Sequence, residues 1–351
     1  MTISFLEFIG QMLEHPVLFI SVVLSLGVIL INGWIDVPNS IATCVATRAL
    51  PVKQAIVLAA VFDFIGVFVM TSINASVSRT IFYMVDFSGE MQASMISLCA
   101  AMLAIVIWSI SAWSMGIPSS EGHALIAGIS GAAIALQGGW SGIIWSEWVK
   151  VLYGLIIAVI VSFSLGLVIT RLIESLFFRV EKRKTTFFFK RAQIAGAAMM
   201  AFLHGAQDGQ KFMGIFLLQV FLVQGYGANN NLGIPIWLML LCSVVMATGT
   251  FIGGYRIIKS LGMNVVHLTM YQGLSADIAS SITILASTFL GIPVSTTHVK
   301  ATAIVGVGVS NKASSVNWYL VKDMVLTWIL TFPGCALLSY GITWLFLHQI
   351  G

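Results

Sequence analysis

Two short polar motifs each occur twice in this chain, in the same order and half a chain apart, inside sequence that is otherwise apolar. Asn32-Gly33-Trp34-Ile35-Asp36-Val37-Pro38-Asn39-Ser40 is answered by His204-Gly205-Ala206-Gln207-Asp208-Gly209-Gln210-Lys211. Gly116-Ile117-Pro118-Ser119-Ser120-Glu121-Gly122-His123 returns as Gly291-Ile292-Pro293-Val294-Ser295-Thr296-Thr297-His298. Aligning Asp36 with Asp208 also aligns Gly33 with Gly205. Aligning His123 with His298 sets Gly131 against Gly306. Two blocks in register make an internal repeat. Charges and helix breakers are costly in hydrocarbon, so their paired placement points to one site built by both repeats, as secondary transporters are made.

The remaining sequence supplies the hydrocarbon-soluble framework. Hydrophobic residues make up 58% of the chain and charged residues 9%, against roughly 45–50% and 25% in soluble domains. Val17–Ile31, Ile56–Ser72, Ser94–Met115, Val149–Ile169, Ile234–Ile252 and Met324–Leu347 are long apolar runs without strict alternation. In lipid every backbone amide and carbonyl must be satisfied within the protein, and runs of this kind do that as helices. The expected fold is an all-α, polytopic helical membrane protein. The N-terminal segment has neither a positive region nor a small-residue cleavage site, so no removable signal peptide is expected.

The basic residues Arg171, Arg179, Lys182, Arg183, Lys184, Lys190 and Arg191 cluster between the two copies of the repeat. Short loops rich in Lys and Arg stay in the cytoplasm. The expected organisation is therefore a first transmembrane repeat at 1–170, a basic cytoplasmic linker at 171–192 and a second transmembrane repeat at 193–351. The net charge of +4 is modest and implies no nucleic-acid partner. The cysteines Cys44, Cys99, Cys242 and Cys335 lack metal-binding spacing and are read as small packing residues.

Glycine before each aspartate allows a helix to break or another backbone to approach closely. Pro38 would disrupt a continuous helix but suits the first turn of a new one. Each carboxylate is therefore expected at a helix discontinuity. The second motif leads into Ala124–Leu136 or Val299–Val309, too short to cross about 30 Å of hydrocarbon comfortably. These stretches are expected to be re-entrant hairpin helices whose N-termini, capped by Ser and Thr, offer free amides to an anion. Hydrophobic runs alone leave the number of crossings open, and with it whether the repeats are parallel or inverted.

Taken together, these blocks resemble the PiT family of inorganic phosphate transporters, in its bacterial low-affinity branch. Gly291–His298 contains the family's Pro-Val-Ser-Thr-Thr-His block, and His204–Lys211 is close to the branch's His-Gly-x-Asn-Asp-Gly-Gln-Lys. Asn32–Ser40, followed by Ala42-Thr43 and Thr47-Arg48-Ala49-Leu50, resembles the same branch over nearly the whole chain. The resemblance implies two inverted-topology repeats, each with a broken helix and a re-entrant helical hairpin, in a plasma (inner) membrane homodimer. It implies that Ser119, Ser120, Ser295, Thr296 and Thr297 bind phosphate, with Gln210 and Lys211 as further substrate contacts. Asp36 and Asp208, with Asn39 and Gln207, would serve the coupling ion. The substrate would be inorganic phosphate, free or as a metal–phosphate complex. No cofactor and no certain metal ligand are implied.

Two departures bear on coupling. Ile35 and Gln207 stand where the family has Asn, and Glu121 and Gly122 replace hydroxyl residues. Isoleucine removes an oxygen that a sodium ion would use, while Glu121 adds a titratable group. The expected activity is phosphate import by cation symport, coupled to protons with Glu121 taking part. The alternatives are sodium coupling or a sulfate/thiosulfate permease of the same fold. His123 and His298 are read as proton-relay or structural residues, Lys211 as a partner of Asp208, and Lys300 as snorkelling or linked to Asp36. Asp277 is read as a helix-start residue, Asp63 as a weak functional candidate, and tryptophans including Trp328 as interfacial. No nucleotide-binding loop or His-Glu-x-x-His motif is present, so no enzyme is expected.

Overall fold

The structure, a computed structural model, describes residues 3–115, 119–180, 182–224, 233–253 and 265–349. Their long elements are all helices: α1 (Phe5–Glu14), α2 (Pro16–Ala46), α3 (Val52–Ile73), α4 (Ser76–Tyr83), α5 (Met91–Ser114) and α6 (Glu121–Leu136). They continue as α7 (Trp145–Phe177), α8 (Lys182–Gln224), α9 (Ile236–Ile252), α10 (Met270–Phe289), α11 (Thr296–Asn311) and α12 (Trp318–Gln349). Five of them, α2, α3, α5, α7 and α12, are long and apolar enough to cross a membrane. Ile156, Ile157, Ile160 and Val168 on α7 are each more than half exposed. An outer face of that composition is stable against lipid, and the chain is a multi-pass membrane protein.

The two copies of the repeat interlock. First-half α3 packs on second-half α8, and second-half α9 packs on first-half α2. In the same way α6 packs on α12, and α11 on α7. Glycine permits the closest of these crossings. A Cβ at Gly66 would lie 1.9 Å from the Phe202 carbonyl oxygen, and one at Gly249 would lie 2.1 Å from that of Leu30. Phe202 and Leu30 occupy equivalent places relative to Asp208 and Asp36. Gly205 and Gly33 make the reciprocal approach, onto the backbones of Asp63 and Met246. Of the two uses foreseen for these glycines, close backbone approach is the one realised.

The expected break at the aspartates is absent. α2 runs through Asp36, and α8 is a single helix through Asp208. The physical reason lies on the helices themselves. Asn32 and Asn39, one turn on either side of Asp36, turn their amides to its carboxylate, and Lys211 does the same for Asp208. The carboxylates are satisfied without opening the backbone. Transmembrane helices tolerate proline where neighbouring elements re-satisfy the freed carbonyl.

α8 contains 43 residues, about 65 Å at 1.5 Å per residue. That is twice the hydrocarbon thickness, so its basic first turns extend out of it. α7 reaches Phe177, and most of the basic segment is helical. α6 and α11 contain 16 residues each, about 24 Å, shorter than the bilayer core as the sequence predicts. The Gly116-Ile117-Pro118 entry to α6 lies outside the described residues.

Candidate functional site

The repeat motifs converge in the core. Asp36 Oδ1 accepts hydrogen bonds from Asn39 Nδ2 at 2.9 Å and Thr297 Oγ1 at 3.1 Å, and its Oδ2 from Asn32 Nδ2 at 3.2 Å. Asn39 also donates to Thr297 Oγ1 at 2.9 Å. Asp208 accepts from the Lys211 ammonium and, at 3.0 Å, from Thr296 Oγ1. Both carboxylates are buried, and each is tied to a hydroxyl of the second Ser/Thr motif. The two are nevertheless different. Every donor to Asp36 named here is neutral, whereas Asp208 faces an ammonium.

Lys211 also marks the meeting of the two short helices. Its ammonium donates to the Val294 carbonyl at 2.6 Å, just ahead of α11. A Cβ at Gly122 in the first turn of α6 would lie 2.7 Å from Lys211 Nζ. Glycine in place of a hydroxyl residue thus leaves room for the ammonium between the starts of α6 and α11. Ser120 and Ser295 cap those starts, accepting from the amides of His123 at 3.3 Å and His298 at 3.2 Å. Helix N-termini with free amides and a nearby ammonium suit an anion. Glu121 lies in the same turn of α6, buried, accepting from Ser109 and, at 3.3 Å, from Ser119.

His123 and His298 face each other edge to face, with ring centroids 4.2 Å apart. His298 stacks on Trp328 at 3.9 Å, and His123 lies 4.6 Å from the Phe332 ring. Neither nitrogen of His123 has a partner among the described residues, nor has Nε2 of His298. The pair forms an aromatic wall behind the helix starts, with no hydrogen-bonded proton path visible along it. Trp328 belongs to that wall and is buried. It is not an interfacial residue, because its partner ring is inside the protein.

Gln207 and Gln210 are turned elsewhere. Gln207 bonds the Ile292 carbonyl at 3.0 Å and the Thr288 hydroxyl at 2.6 Å. Gln210 accepts from the Val77 amide at 3.2 Å and donates to the Asn74 carbonyl at 2.8 Å. On a continuous helix His204, Asp208 and Lys211 share one face, and Gln207 and Gln210 share the next. The glutamines therefore fasten α8 to its surroundings.

The structure adds His204 and Thr250, to which the sequence reading gave no role, and gives Asp63 its place. His204 Nδ1 lies 3.1 Å from Asp63 Oδ1, and its Nε2 lies 3.4 Å from Asp208 Oδ2. Thr250 donates to the other oxygen of Asp63 at 2.9 Å. Asp63 is thus joined to the site through His204. One ligand atom from each of Asp36, His204 and Asp208 falls within 4.8 Å of the others, a spacing fit for a cation. His204 stands in the repeat where Asn32 stands in the first copy, and it opens a block that resembles the family's, but neither signal named its partners.

Asp277 and Lys300 correct two expectations. Asp277 lies in the middle of α10, not at its start, and Lys300 is fully buried against it instead of snorkelling or reaching Asp36. A carboxylate and an ammonium this deep are stable only together.

A polytopic helical protein whose buried polar centre is assembled from motifs of both halves of its chain is built as membrane transporters are. A family model described as the phosphate transporter family matches residues 32–339. A probable low-affinity inorganic phosphate transporter of Bacillus subtilis (strain 168) is 36% identical over 329 residues, 94% of this chain and 96% of that one. Its counterpart of the same description in Rhizobium meliloti (strain 1021) is 35% identical over 327 residues, 93% and 96% of the two chains. A solved structure described as the sodium-dependent phosphate transporter superposes with a TM-score of 0.86 at 23% identity, covering 96% of this chain and 100% of that one. At that identity the likeness speaks for the fold. The chain belongs to the phosphate transporter family: it is a phosphate transporter and not an enzyme.

Proposed function

We propose that the chain imports inorganic phosphate across the plasma (inner) membrane as a cation symporter coupled to protons. The observation that carries this reading is the position of Lys211, between the starts of α6 and α11 and against Asp208. Phosphate bound at the capped helix starts by Ser119, Ser120, Ser295, Thr296 and Thr297 would compete for Lys211 and for the hydroxyls now tied to Asp36 and Asp208. Anion and cation occupancy are then linked through shared groups. The repeats are read as inverted, α6 and α11 as re-entrant, the 171–192 segment as cytoplasmic and the assembly as a homodimer.

Phosphate is favoured over sulfate on chemical grounds. Monohydrogen phosphate can donate its proton to a carboxylate, whereas sulfate can only accept, so buried carboxylates repel sulfate without compensation. Asp36, Asp208 and Glu121 supply such acceptors. In proteoliposomes, labelled phosphate uptake should resist modest sulfate and follow an inward proton gradient with sodium replaced by choline. Absence of uptake, or its loss to modest sulfate, removes the substrate assignment. Strict sodium dependence removes the proton.

Sodium coupling remains a second reading because Asp36, His204 and Asp208 converge at cation spacing, and the structural neighbour is described as sodium-dependent. Glu121 separates the two. Protonated, it becomes a hydrogen-bond donor beside the anion; ionised, it repels it. Glu121→Gln should still bind phosphate, within roughly threefold by calorimetry, but lose accumulation against a gradient. Normal pH-driven accumulation by that variant excludes Glu121 from coupling.

A further inference from the structure

A second buried polar group lies on the same helices and is used by nothing described above. The Lys300 ammonium on α11 donates to Asp277 on α10 and lies 3.4 Å from Thr43 Oγ1 on α2. Thr43 donates to the same Asp277 oxygen at 2.7 Å, and Gln193 Nε2 on α8 donates to the other at 2.7 Å. All four residues are 0% exposed. Gln193 Oε1 has no partner among the described residues. The amide is also hemmed in, since a Cβ at Gly273 would lie 2.5 Å from that oxygen.

Three of the helices therefore bring a carboxylate and a hydroxyl to one positive charge, and the Gln193 amide on the fourth donates to the far carboxylate oxygen. As a fastening this is a poor choice, because well-packed apolar residues of similar volume hold helices together at least as well as a buried ion pair. As surroundings for a cation it is apt. A dehydrated alkali ion and an ammonium both need one formal negative charge and several oxygens at close range. Thr43 lies two turns beyond Asp36 on α2, Lys300 one turn beyond Thr296 on α11, and Gln193 ahead of His204 on α8. The group thus sits beside the transport site on three of the helices that make it.

We infer that the Lys300 ammonium fills a monovalent-cation seat formed by Asp277 and Thr43, with Gln193 holding the carboxylate in place. A cation that would otherwise be taken from solution at this seat is here carried by the chain itself. This inference stands apart from which anion is moved and from what drives it.

Removing the tether should open the seat. Wild type, Lys300→Ala, Lys300→Ser and the neutral pair Asp277→Asn/Lys300→Met are prepared in sodium-containing buffer. Their melting is then followed as choline is exchanged for sodium, lithium or potassium at constant ionic strength. Lys300→Ala or Lys300→Ser should gain a saturable rise of about 2–4 °C with at least one of these ions. Wild type and the neutral pair should show none. A folded Lys300→Ala blind to all three ions overturns the inference, as does an equal response in wild type or the neutral pair. Failure of both single variants to assemble even in sodium also overturns it, because a true seat can be refilled from solution.

Discussion

Proteoliposomes carrying Asp36→Asn should still exchange phosphate for phosphate but no longer concentrate it, with the steady-state gradient falling by at least roughly tenfold, a loss of about 1.4 kcal/mol of coupling. Asp36 accepts from Asn32, Asn39 and Thr297 and faces no ammonium. Of the two repeat aspartates it is therefore the one whose hydrogen-bond donors are all neutral, and an incoming cation or proton gains more there than at Asp208. Asparagine keeps the shape, removes the charge and turns an amide toward groups that already donate. Asp208→Asn should fail for a different reason, since it leaves the buried Lys211 ammonium without its carboxylate. Breaking a buried pair by removing one partner costs about 3–5 kcal/mol, so that variant should also lose yield and melting temperature. Near-normal accumulation by a well-expressed Asp36→Asn would show that Asp36 only packs.

The most damaging single substitution should be one that removes no charge. Gly66→Val places a branched side chain where a lone Cβ already falls 1.9 Å from the Phe202 carbonyl oxygen. The obstacle is backbone, which cannot rotate away, so α3 and α8 must separate. Overpacking of this kind costs about 3 kcal/mol or more, and it falls on a crossing that also carries Gly205 and Asp63. The variant should give little monodisperse protein in detergent. Gly10→Ala, where nothing lies within 4 Å of the added carbon, should behave as wild type. A Gly66→Val protein that elutes and melts normally would mean that the helices do not approach this closely.

Much of the framework was legible because lipid imposes a simple code. Long apolar runs gave the helices, and paired motifs gave the two carboxylates and the hydroxyls that meet them. What escaped was the pairing of particular side chains between elements. His204 with Asp63, Lys300 with Asp277, and Lys211 with Gly122 pair across 141, 23 and 89 positions respectively, and no local pattern announces such partners. Gln207 and Gln210 were given contacts at the site by the resemblance, and their hydrogen bonds lie elsewhere. Once α8 is continuous, its periodicity alone turns them away from Asp208. The break itself was inferred from Gly and Pro, which signal permission for an irregular backbone but do not compel it when Asn32, Asn39 and Lys211 satisfy the charges in place.

The exchange of partners between halves has a consequence for how the protein is made. α2 and α3 emerge from the ribosome long before α9 and α8, onto which they pack. Until then Asp36 lacks Thr297, Asp63 lacks both His204 and Thr250, and the glycine faces of α2 and α3 meet only lipid. The first half must therefore wait in the bilayer with α2 on α5 and α5 on α6 but without its later partners, and with two acids incompletely paired. Its window of exposure to misassembly and proteolysis is set by the time needed to translate the second half, and a nascent chain stalled near the basic segment is the species a membrane quality-control protease would meet.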